Sequence, residues 1–176
     1  MISLGGSLIV PDMVDYKYLY KFVKFVKKLS KKHKIVVVCG GGSVARRYIK
    51  VLKGHAEQKS LSLVGIETTK LNARLVAGLL NYFGEIPDSL HEVVNQLKRT
   101  NLVVCGALGV QPNMTSDANA AQIARVIKAD FVNLTDVEGL YDKDPKEHKN
   151  AKLVSNISYS DFNKIIKRIK YHAGQH

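Results

Sequence analysis

Ile35–Arg46 reads IVVVCGGGSVAR. Four β-branched apolar residues, Ile35, Val36, Val37 and Val38, run into Gly40, Gly41 and Gly42, and a helical pattern resumes at Ser43. A short apolar run without polar alternation marks a strand buried on both faces, as in a parallel sheet sheathed by helices. Three successive glycines remove every Cβ from the turn. Backbone N–H groups can then approach an anion closely, while the following helix aims its positive end at the same spot. The turn therefore suits phosphate. Arg46, one turn into that helix, adds a planar and permanently charged fork. An isolated triple glycine serves equally well as a plain tight turn, so its meaning depends on its company.

That company is a series of strand-like runs ending in turns. Met1–Leu4 reads as a first strand, with Gly5, Gly6 and Ser7 forming a second glycine turn. Leu19, Phe22, Val23, Val26 and Leu29 recur at helical spacing, which predicts an amphipathic helix from Tyr16 to about Lys32. Gly54–Leu61 is polar and expected to be a loop. A helix from about Val64 to Leu80 is expected to put Leu71, Leu75 and Leu79 on one face. Glu85–Ser89, with Pro87, is a connection; Leu90, Val93, Val94 and Leu97 mark a short helix; Leu102–Cys105 marks a third strand. The loop Gly106–Ser116 leads into an alanine-rich helix through about Ile127, with Ser116 or Asp117 as its expected N-cap. Phe131–Leu134 is a fourth strand, and Ser158 with Asp161 can cap a last helix carrying Phe162, Ile165, Ile166 and Ile169. Strands alternating with helices are the signature of βαβ crossovers and a parallel sheet.

A chain of 176 residues with 45% hydrophobic content can bury one good core, so a single domain over 1–176 is expected. No apolar run approaches the ~20 residues of a membrane span and no signal-peptide pattern opens the chain, so no membrane and a cytoplasmic location are expected. Cys39 and Cys105 each lie within an apolar run, where a small buried thiol is expected rather than a disulfide or metal ligand. The net charge of +12 comes largely from lysines facing away from an apolar stripe, such as Lys17, Lys21, Lys24 and Lys28. No aromatic-interleaved basic motif accompanies them, so specific nucleic-acid binding is not expected. A positive field would still draw in small polyanions such as nucleotides.

Four blocks carry a resemblance. They are GGS at Gly5–Ser7, GGGSVARRYI at Gly40–Ile49, MTSDANAA at Met114–Ala121 and NLTDVEGLYDKDP at Asn133–Pro145, with GIETTKLNA at Gly65–Ala73 as a weaker fifth. In this order and spacing the sequence resembles the amino acid kinase superfamily and, within it, the archaeal-type uridylate kinases. The resemblance implies a three-layer αβα sandwich around a mainly parallel β-sheet. It implies transfer of the ATP γ-phosphoryl group to UMP with Mg²⁺ present, and a homo-oligomer, a hexamer by analogy.

Residue by residue, Gly6 and Ser7 match positions holding the ATP phosphates, Gly41 a UMP-phosphate contact, and Gly42 and Arg46 groups on the ATP side. Met114, Thr115 and Ser116 match the UMP site, as does Ser62. Asp117 matches a carboxylate that orients the phosphate-binding constellation or its metal, and with Arg46 it is the expected catalytic pair; no side chain is assigned as a metal ligand. Thr135, Asp136, Tyr141 and Asp144 match the adenine and ribose pocket. Taken alone, Thr115, Ser116 and Asp117 could be helix caps and Tyr141 and Asp144 an ordinary turn. The sequence departs from the family at Ser3, where many members have lysine, and at Ser62, where uridylate kinases usually have aspartate. The family also continues for several tens of residues past the equivalent of Ala173–Gly174, so the resemblance implies a missing carboxyl-terminal segment. A kinase of another small phosphate or carboxylate, or a non-catalytic nucleotide-binding subunit, are the alternatives.

Overall fold

In the computed structural model, which describes residues 1–109, 114–145 and 147–166, β2 (Ile35–Cys39) is buried along its whole length. It lies between β3 (Leu102–Cys105) and β1 (Ile2–Leu4), and β4 (Val132–Leu134) flanks β1 on the far side. All pairings are parallel: Val37 lies opposite Ile2, Val38 opposite Cys105, and Ile2 opposite Val132. Side chains of a strand alternate between faces, so the valine run divides itself. Ile35, Val37 and Cys39 join Ile2 and Leu4 in one core cluster, while Val36 and Val38 join Val103 and Cys105 in another.

Each face has its own helices. The first is covered by α2 (Tyr16–Leu29), through Leu19, Phe22, Val23 and Val26, and by α4 (Gln58–Leu80), through Ala73, Val76, Ala77 and Leu80. The second is covered by α5 (Leu90–Arg99), through Val93, and by α6 (Ser116–Ile127), through Ala120, Ile123 and Ala124. The αβα sandwich follows from this arrangement. Burial pushes the Cys105 thiol up to about 12 and raises Cys39 well above its ordinary value, as expected of thiols that pack as small hydrophobes.

Several local expectations are corrected. Gly6–Ile9 is not merely a turn but a single helical turn, α1. Helix α4 begins at Gln58 inside the stretch that reads as a loop, and its buried face is Leu61, Thr68, Thr69, Asn72, Ala73, Val76, Ala77 and Leu80. Of the expected leucine face, Leu75 and Leu79 pack partly buried against the first core cluster, while Leu71 is 62% exposed. The N-cap of α6 is Thr115, whose hydroxyl accepts from Ala118 N at 3.2 Å, not Ser116 or Asp117. The lysines of α2 do point outward. No acidic residue lies between Asp15 and Glu57, so this stretch carries as much charge as the whole chain's net +12.

The described residues form two compact units, Met1–Thr135 and a second beginning at Asp136. The second is built on an antiparallel bridge between Tyr141 and Leu153, extended by Val154 N to Leu140 O at 2.7 Å. It continues into α7 (Tyr159–Ile166), where the Ser158 hydroxyl accepts from Asp161 N at 3.1 Å and donates to its carboxylate at 2.7 Å. Ile169 of the expected last helix lies outside the described residues.

Candidate functional site

Parallel strands bring their carboxyl ends to one edge, and here three such ends meet backbone against backbone. Gly5 N donates to Leu134 O at 2.8 Å, and Gly40 N donates to Leu4 O at 2.9 Å. A Cβ on Gly6 would sit 2.7 Å from Gly42 Cα and 2.8 Å from the Gly40 carbonyl carbon, against backbone that has no flexible end to yield. Gly42 has φ +64°, and a Cβ there would meet Val10 O at 2.8 Å. The two glycine turns are therefore interlocked, and side chains would separate them.

From this junction α3 (Gly42–Leu52) departs with Gly41 as its N-cap residue. Its first amides are not engaged by the helix itself, and its dipole places positive potential at the turn. Ser43 fastens the helix start to the α1–α2 connection, with its N–H donating to Val10 O at 2.9 Å and its hydroxyl to Asp12 O at 3.1 Å. Arg46 donates to Pro11 O at 3.5 Å, and Arg47 pairs with the Asp12 carboxylate. Ser7 lies half-buried on α1, next to Gly6.

Across the sheet edge, α4 and α6 hold the remaining loops with buried polar side chains. Asn72 Nδ2 donates to Gly40 O at 2.7 Å and Gly41 O at 3.1 Å. Thr69 Oγ1 accepts from Ala107 N at 2.8 Å, and a Cβ on Gly106 would lie 2.7 Å from Lys70 N. Asn119 Oδ1 accepts from Leu108 N at 3.0 Å, and its amide reaches Met114 Sδ at 3.9 Å. Among the described residues no buried side-chain polar atom lacks a partner.

Asp117, in the first turn of α6, accepts a hydrogen bond of 2.6 Å from Ser3 Oγ on β1. Ser3 is buried and lies two residues before Gly5, so this contact ties the carboxylate to the strand that feeds the glycine junction. The serine standing where many family members have lysine is thus a partner of Asp117.

The first unit therefore gathers Gly6, Ser7, Gly41, Gly42, Arg46 and the Thr115–Asp117 segment on elements meeting at one sheet edge, with Thr135 directly after β4. Asp136, Tyr141 and Asp144 belong to the second unit, where Tyr141 Oη donates to Glu138 at 3.5 Å and Asp144 O accepts from His148 N at 2.9 Å. Ser62 lies on α4, its hydroxyl returned to Gln58 O at 3.0 Å; three residues on, the Gly65 carbonyl oxygen is 3.8 Å from where a Cβ on Gly41 would sit. A cleft of about 560 Å³ beside the β3–α6 loop is lined by Leu108, Gly109, Asn119 and Ile123, and none of the assigned residues lines it.

Sequence reasoning missed Thr69, Asn72 and Asn119. The available signal was polar, weakly helix-forming residues at positions continuous with the apolar face, Thr69 and Asn72 inside α4 and Asn119 in the first turn of α6.

The sequence profile of the Amino acid kinase family matches residues 1–174. The chain belongs to the amino acid kinase family. Its relatives include uridylate kinase of Methanobrevibacter smithii, 34% identical over 170 residues, covering 94% of this chain and 74% of that protein. Uridylate kinase of Thermoplasma volcanium is 37% identical over 164 residues, covering 92% and 71% respectively. The crystal structure of uridylate kinase from Archaeoglobus fulgidus superposes with a TM-score of 0.79 at 32% identity, covering 95% of this chain and 77% of that one. The UMP kinase of Bacillus anthracis, at 20% identity and a TM-score of 0.73, shares the amino acid kinase fold.

Proposed function

We propose that this protein is a nucleoside monophosphate kinase that transfers the γ-phosphoryl group of ATP to UMP, giving ADP and UDP. The observation that carries this reading is the interlocking of the Gly5–Gly6 and Gly40–Gly42 turns at the carboxyl edge of the sheet. The names of the relatives supply the acceptor. Two polyanions must meet end to end, and negative charge spreads over the group in flight, so catalysis rests on positioned N–H donors and cations. Gly6 and Ser7 take the donor phosphates, Gly41 the acceptor phosphate, and Gly42 with Arg46 the donor side between them. Ser62, Met114, Thr115 and Ser116 serve the acceptor nucleotide, and Thr135, Asp136, Tyr141 and Asp144 serve adenine and ribose.

Mg²⁺ would arrive on the nucleotide and neutralise phosphate charge when bound. The donor set fits this mode, because Mg²⁺ keeps most of its waters and takes one or two carboxylates together with phosphate oxygens. Asp117 is a carboxylate at this edge, and Ser3 fixes its orientation. The reading extends to a cytoplasmic homo-oligomer. The test is ADP release from ATP with UMP, CMP, dUMP and small carboxylates offered in turn. UMP is expected to give the highest kcat/KM, and release with none of them refutes the assignment.

A further inference from the structure

We infer that Asn72 is the positioning residue for the phosphate-binding amides of the β2–α3 turn. This inference rests on the phosphate role proposed for that turn. In a trans peptide the carbonyl and the following N–H point in opposite directions, and no cis peptide occurs among the described residues. Asn72 Nδ2 draws the Gly40 and Gly41 carbonyls toward α4, at 2.7 Å and 3.1 Å. The N–H groups of Gly41 and Gly42 are consequently turned away from α4. These are the two amides assigned to the acceptor and donor phosphates.

Such an anchor is needed because the same absence of Cβ atoms that lets phosphate approach also frees the glycine backbone to rotate. A rotated peptide would present a carbonyl dipole to phosphate and repel it. One buried side chain with two donors on a single nitrogen sets both planes together. Asn72 is 3% exposed and sits in the middle of a helix, where asparagine is a poor helix former. An apolar residue there would leave two carbonyls without that donor. Thr69, one turn earlier, does the corresponding work for a different loop through Ala107 N, so α4 presents one polar anchor to each of the β2 and β3 loops.

The experiment compares wild type, Asn72→Ala and the milder Asn72→Ser by steady-state kinetics with ATP and UMP. Alongside, the glycine amide resonances of ¹⁵N-labelled protein are followed during titration with inorganic pyrophosphate. In folded variants kcat is expected to fall about 100-fold, as on loss of a preorganised oxyanion donor, with either KM changing less than about 5-fold. The Gly41 and Gly42 resonances are expected to move with pyrophosphate in wild type and to lose that response in the variants. A folded variant with kcat within about 3-fold of wild type overturns the inference, as do wild-type Gly41 and Gly42 amides that ignore pyrophosphate; if neither variant folds, that wild-type titration decides. A wild type that passes the titration but makes no ADP from UMP refutes the proposed reaction and not the role of Asn72. An active wild type with indifferent variants does the reverse.

Discussion

Gly6→Ala adds one methyl group at the point where the two phosphate-binding turns touch. The new Cβ would be 2.7 Å from Gly42 Cα, 2.8 Å from the Gly40 carbonyl carbon and closer still to the Gly42 nitrogen, where ordinary contact begins at 3.4 Å. All three atoms are backbone, so relief requires the turns to part, by about 1 Å. A misplacement of that size costs about 100-fold in rate, equivalent to about 2.7 kcal/mol of barrier, and overpacking adds about 1–3 kcal/mol of lost stability. The assay is kcat/KM for ADP formation, read beside the thermal midpoint of the same preparation. Gly78→Ala is the control, since a Cβ there meets nothing within 4 Å and the site is helical, so its midpoint should hold or rise. Should Gly6→Ala keep kcat/KM within about 3-fold of wild type, the turns do not jointly hold the reacting phosphates.

Arg46→Ala should lower kcat/KM by about 10- to 150-fold, the equivalent of the 1.5–3 kcal/mol carried by a charge-assisted contact, in the same ADP-release assay. Ser3→Ala releases Asp117 from its 2.6 Å partner and should cost about 1–3 kcal/mol in denaturant unfolding as well as kcat, because a largely enclosed carboxylate loses its donor. Alkali should destabilise the fold. The buried thiols stay protonated above their unfolded value of 9.0 while the unfolded chain ionises, so their stabilisation is complete below pH 9 and is lost as pH rises beyond it, toward about 12 for Cys105. The slope is about 1.4 kcal/mol per pH unit for each thiol and should shrink in Cys105→Ala, as measured by urea midpoints across that window.

The sheet was readable because its strands obey one dominant rule. With both faces covered, Ile35–Cys39 and Leu102–Cys105 had to be uninterrupted apolar runs, and their bounds follow directly. The glycine turns were equally plain, since no other residue permits backbone to touch backbone. Helix α4 was misread for the opposite reason. Its opening turns are solvent-exposed and polar, and its inner face is chosen for close approach and hydrogen bonding rather than for bulk. Periodicity therefore selected Leu71 in place of Thr69 and Asn72. The α6 cap slipped by one residue because Thr115, Ser116 and Asp117 are all competent caps, and only the backbone decides among them. Ser3 looked like a lost charge; its bond to Asp117, made across 114 positions of sequence, has no local signature.

The long acid-free stretch from Tyr16 to Ala56 makes the molecule electrically lopsided. A drifting triphosphate would be drawn toward α2 and α3 before any specific contact forms, and α3 springs from the glycine junction itself. Capture is thus partly a matter of the long-range field, which dissolved salt shortens to a reach of about 8 Å at physiological ionic strength. Chemistry once bound is shielded from that influence, so rising salinity would slow the arrival of substrate while leaving the transfer step untouched.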